Sequence, residues 1–77
     1  MKYTIGIDLG GTTMTAGLVN EDYEIVGKTT WATRLPRPAA DLEAALAKLC
    51  RTVAKENNVP FDQVRYVGIG KIGRAHV

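Results

Sequence analysis

A chain of 77 residues can build one small hydrophobic core but is too short for a two-domain cleft that encloses two substrates. At 45% apolar and 23% charged residues it has the composition of a folding globular protein and not of a disordered one. No apolar run reaches the roughly 18 residues that span a bilayer and no signal-peptide pattern precedes the first strand, so a cytoplasmic protein without a membrane partner is expected.

The formal charge of +2 comes from scattered basic residues with no aromatic interleaving, which argues against a nucleic-acid partner. Without Lys71 and Arg74 the basic and acidic counts are equal at 8. The single cysteine, Cys50, has no disulfide partner and no metal-ligand spacing, and reads as a small core residue.

Tyr3, Ile5, Ile7 and Leu9 alternate with Thr4, Gly6 and Asp8, the period of a strand with one bulky and one small or polar face, running to about Asp8. Gly10-Gly11 breaks it, and Met14 to Val19 resumes apolar character, so the chain is expected to turn back as a hairpin. Asn20-Glu21-Asp22 is a polar turn, and the β-branched and aromatic stretch from Tyr23 to Thr33 predicts a third strand antiparallel to the second. Pro36 and Pro38 end the sheet run, and a helix is expected to begin near Pro38.

Leu42, Ala45, Leu46, Leu49 and Val53 then recur every three or four residues, with Glu43, Lys48, Arg51 and Lys55 mostly opposite. Asn57-Asn58-Val59-Pro60 stops the helix, and Val64 to Ile69 predicts a fourth, largely buried strand. The order β-β-β-α-β describes an α/β half-domain in which the helical crossover lays strand four parallel to strand one. One helix cannot shield both faces of four strands, so part of the sheet is expected to be uncovered.

The chemistry concentrates at the first turn. A phosphate approaching a backbone turn needs bare N–H donors and no Cβ in the way, and Gly10-Gly11 offers both, with Thr12 and Thr13 adding hydroxyls. A carboxylate repels a bare phosphate, so Asp8 beside this turn makes sense with a hydrated divalent cation between them. The arrangement points to Mg²⁺-nucleotide. A simple tight hairpin explains the glycine pair, but it leaves the strand-terminal Asp and the two threonines as coincidence.

Gly6-Ile7-Asp8-Leu9-Gly10-Gly11-Thr12-Thr13 resembles the first phosphate motif of the sugar kinase, actin and heat-shock chaperone superfamily, whose fold is ribonuclease H-like. The double glycine followed by Thr is most similar to the ROK family of repressors, open-reading-frame proteins and sugar kinases. The resemblance continues through Ala16-Gly17-Leu18-Val19 and Val67-Gly68-Ile69-Gly70, covering residues 3–70. It implies a partial actin/hexokinase-type ATPase domain from an ATP-dependent kinase acting on a hexose such as glucose. Asp8 would position Mg²⁺ through water, and Gly10, Gly11, Thr12 and Thr13 would hold the terminal phosphates of ATP. At position 13 many family members carry Lys, and Thr13 offers only a hydroxyl.

The resemblance also implies that the catalytic Asp, the sugar-contacting His and Glu and a Cys-rich structural zinc motif lie downstream of this chain. Residues 1–70 are therefore expected to be an inactive N-terminal piece of a kinase that could be a homo-oligomer. Two alternatives stand beside it. One is a ROK-type sugar-responsive transcriptional regulator without its DNA-binding domain; the other is an N-acetylglucosamine kinase or actin-like ATPase relative.

Other candidates have plainer readings. Trp31 is expected to pack, and Asp41, Glu43 and Glu56 are expected to be solvated charges on or at the end of a helix. Family members continue from Gly-Ile-Gly into a small residue and Pro-Gly, whereas this chain reads Lys71-Ile72-Gly73-Arg74-Ala75-His76-Val77. That string is the translation of AAG ATC GGA AGA GCA CAC GTC, which contains the start of a widely used short-read sequencing adapter. Residues 71–77 are accordingly expected to be a non-native tail, and His76, the sole histidine, is discounted with it.

Overall fold

The computed structural model describes residues 2–34 and 36–70. Along the chain, β1 (Tyr3–Leu9), β2 (Thr13–Val19) and β3 (Ile25–Ala32) are followed by α1 (Ala39–Glu56), one 3-10 turn (Phe61–Gln63) and β4 (Val64–Gly70). The strands form one sheet in the order β3-β2-β1-β4. The β1–β2 and β2–β3 pairs are antiparallel and the β1–β4 pair is parallel, as the helical crossover requires. The tail expected over residues 71–77, His76 included, lies outside the described residues.

The core lies between α1 and one face of the sheet. Ile5, Ile7, Met14, Ala16 and Leu18 meet Leu46, Leu49, Cys50, Val53 and Ala54, with Val59 closing the end. Each large apolar side chain removed from water here contributes about 1.5–3 kcal/mol. The helix starts after Pro38, whose carbonyl accepts from Leu42 N–H at 3.1 Å, and Asp41 in its first turn suits the positive end of the dipole. It ends in a Schellman motif: Val59 N–H reaches Ala54 C=O at 2.9 Å, Asn58 N–H reaches Lys55 C=O at 3.1 Å, and Asn58 is left-handed at φ 59°. The Arg51 guanidinium lies 4.7 Å above the Phe61 ring and ties the 3-10 turn to the helix.

Two expectations are corrected. The third strand was expected from Tyr23, but β3 begins at Ile25. Asn20 Oδ1 accepts from the N–H groups of Asp22 (2.9 Å) and Glu24 (3.0 Å), winding the chain into a longer turn that holds Tyr23 left-handed at φ 63°. The fourth strand was expected to be largely buried, yet Tyr66, Val67 and Ile69 are exposed. The helix packs mainly over β2 and β3, so Val67 and Ile69 on edge strand β4 gain little cover from it, and Tyr66 alternates onto the opposite, helix-free face.

The helix end sits close enough to β3 to dictate a residue there. A Cβ built on Gly27 would overlap the side-chain amide of Asn57, which donates to Val53 C=O at 2.8 Å. Gly27→Ala is expected to lose about 1–3 kcal/mol of stability through this overlap. Chemical denaturation checks it, and the loss shrinks in the Gly27→Ala/Asn57→Ala double variant, because the second change removes the obstructing group.

Candidate functional site

β1 and β2 meet in the turn Gly10-Gly11-Thr12, closed by Gly10 N–H donating to Thr13 C=O at 2.9 Å. Gly11, Thr12 and Thr13 are exposed and Asp8 is half-buried. Among the described residues, neither Gly11 N–H nor Thr12 N–H finds a protein acceptor, so both remain available to an anion. The two glycines differ in kind. A Cβ at Gly10 would lie 3.3 Å from Thr13 C=O inside the turn, whereas a Cβ at Gly11 would meet nothing within 4 Å. Gly10 serves the turn, and Gly11 leaves space open outside it.

Strand alternation places Asp8 on the face away from α1, because Ile7 on the same strand points into the core. Its lateral neighbours are Thr15 on β2 and Gly70 on β4, and Thr15 is followed by Thr30 on β3, the two hydroxyls 2.9 Å apart. The next rung along this face is Gly68, Gly6, Gly17 and Lys28. Next to the turn the helix-free face therefore carries one carboxylate flanked by hydroxyls and bare backbone. A divalent cation with its waters favours such an oxygen set.

The sequence-predicted residues Asp8, Gly10, Gly11, Thr12 and Thr13 thus share one end of the sheet. Trp31 packs against the core as expected. Asp41, Glu43 and Glu56 are exposed, and Glu56 accepts the Thr29 hydroxyl at 2.6 Å. A separate open groove of about 740 Å³ runs between β3 and α1 past Trp31, Arg34, Arg37, Asp41 and Lys48, and none of residues 8–13 lines it. Burial pushes the Cys50 thiol above its ordinary range. A raised pKa means the folded state keeps its proton while the unfolded thiol loses it, so the protein is expected to lose stability as pH rises above about 8.5. Denaturation curves at pH 7 and 9.5 check this, and the extra loss disappears in Cys50→Val.

Sequence reasoning missed Thr33. It is the buried polar residue of the described chain, 1% exposed, and its hydroxyl donates to Gly10 C=O at 3.0 Å while its N–H donates to Thr12 C=O at 2.9 Å. Position alone offered one signal, a threonine between the last β3 residue and the prolines, but its partner lies 23 residues earlier.

The sequence matches the family described as ROK family over residues 4–75. It is 39% identical over 69 residues to the glucokinase of Thermotoga maritima, covering 90% of this chain and 20% of that protein. The structure superposes with a TM-score of 0.67 on a ROK family glucokinase from Streptomyces griseus in complex with glucose and AMPPNP. That pair is 32% identical over 88% of this chain and 20% of the other. A diol dehydratase-reactivating factor in nucleotide-free form gives a TM-score of 0.71 at 18% identity, over 91% of this chain and 12% of its own, and speaks to the fold alone. The chain spans about a fifth of the length of these glucokinases. With its β-β-β-α-β sheet corresponding to the N-terminal part of the actin-like ATPase fold, the chain belongs to the ROK family.

Proposed function

We propose that this chain supplies the first phosphate loop of an ATP-dependent sugar kinase that transfers a phosphoryl group from Mg-ATP to a hexose such as glucose. The observation that carries the reading is the turn itself: Asp8 beside Gly10-Gly11-Thr12, with unpaired N–H groups and open space at Gly11, in a chain similar to two glucokinases. The residues fit the group. Asp8 would hold Mg²⁺ through its waters, and Gly11, Thr12 and Thr13 would donate to the terminal phosphates from the turn that Gly10 closes. Bound Mg-ATP supplies the transferable phosphoryl group.

The chain's own residues orient that group and disperse its charge, the larger part of what a protein does for phosphoryl transfer. Residues 1–70 are read as the opening part of the first ATPase-type domain, and the general base is assigned to the rest of the complete protein. The 77-residue chain alone is therefore read as inactive. Residues 71–77 are read as a foreign tail; any codon series in the source DNA other than the adapter's overturns that.

The test is ADP release by the product of the complete gene, with Mg-ATP and a panel of hexoses. Sugar-dependent ADP release is expected. Sugar binding without turnover would support a sugar-sensing regulator instead.

A further inference from the structure

The carbonyls of Gly10 and Thr12, the two sides of the phosphate turn, are both held by one residue from another strand end. Thr33 Oγ1 donates to the first at 3.0 Å and Thr33 N–H to the second at 2.9 Å. Thr33 C=O in turn accepts from Arg37 Nη1 at 2.9 Å, which ties it to the segment entering α1. A trans peptide sets its N–H opposite its C=O. Pinning Gly10 C=O towards Thr33 therefore turns the Gly11 N–H away from it, while the bond to Thr12 C=O anchors the far side of the turn. Apart from the Gly10 N–H to Thr13 C=O bond that closes the turn, the Gly10–Gly11 peptide has little restraint of its own, since glycine has the most conformational freedom of any residue.

We propose that Thr33 is a positioning residue that aims the Gly11 N–H group at the nucleotide phosphates and holds the far side of the turn at Thr12 in place. The inference rests on reading the turn as a phosphate loop. Its buried hydroxyl has no other partner among the described residues, and a buried hydroxyl in this position can satisfy itself only by holding the turn in register. Because oriented donors act without reorganising when the phosphate arrives, the gain lies in nucleotide affinity and not in sugar affinity.

The experiment has two arms, each comparing wild type with Thr33→Val and Thr33→Ser. In the 77-residue chain, ¹⁵N relaxation reads the order of the Gly10–Thr13 amides. Rigid backbone gives order parameters of about 0.85 and flexible backbone below about 0.6. The Val variant is expected to fall towards the flexible value at these residues alone, with Ser close to wild type. In the complete gene product, Mg-ATP is expected to bind about 10-fold more weakly to the Val variant, with glucose affinity unchanged and Ser restoring ATP binding. If Val fails to fold, Thr33→Ala takes its place against Ser.

Order parameters unchanged by loss of the hydroxyl overturn the proposal, as does equal disordering by Val and Ser, which would assign the effect to packing. A wild type that binds no Mg-ATP, with the turn still ordered by Thr33, sinks the phosphate-loop reading and with it the proposed purpose of the clamp. The relaxation arm tells these failures apart.

Discussion

Gly11→Val is expected to abolish most nucleotide use while leaving the fold intact. The backbone at Gly11 does not lie in the left-handed region, and a Cβ there meets no protein atom within 4 Å, so a branched side chain is accommodated without strain. The same open space is where an anion must sit to reach the Gly11 and Thr12 N–H groups. A valine would displace the phosphate by an ångström or more, and a misplacement of that size costs about 100-fold in rate. In the complete gene product kcat/KM for ATP should fall at least about 100-fold, while the unfolding free energy of the 77-residue chain changes by less than about 0.5 kcal/mol. Gly10→Ala is the complementary variant. Its Cβ would crowd Thr13 C=O at 3.3 Å, so it should cost stability as well as activity.

The second large effect concerns stability. Leu49 is fully buried, at the centre of the helix face that meets Ile5, Ile7 and Leu18. A chain of this size is stable by about 4–12 kcal/mol, and truncating a buried leucine to alanine costs about 2–5 kcal/mol. Leu49→Ala therefore removes a large share of the total, and its thermal midpoint should fall by at least about 8 °C in a circular dichroism melt. Ile69→Ala is the control. Ile69 is 62% exposed on the uncovered strand, and its truncation should cost less than about 1 kcal/mol.

How much of this could be seen in the sequence follows from the range of the interactions. The turn and its carboxylate were legible because Asp8, Gly10, Gly11 and Thr12 act within a few residues of one another, through backbone freedom and charge that each residue type declares. The helix was legible for the same reason, since Leu42, Leu46, Leu49 and Val53 carry its period directly. Burial of β4 was misjudged because Val67 and Ile69 look alike whether a second helix covers them or not. Tyr23 was assigned to a strand because its propensity favours one, and the Asn20 side chain overrides that propensity by capturing the turn. Thr33 was invisible because its role depends on β2–β3 pairing that brings residue 33 beside residues 10 and 12.

The central claim is that Asp8 and the glycine turn act on nucleotide phosphates through Mg²⁺. Isothermal titration of ATP into the complete gene product, with Mg²⁺ and with EDTA, for wild type and Asp8→Asn, tests it most directly. Tight binding to wild type with Mg²⁺ is expected, weakened to a similar degree by EDTA and by Asp8→Asn, with little further loss when the two are combined. ATP affinity that is indifferent to both Mg²⁺ and Asp8 would contradict the account.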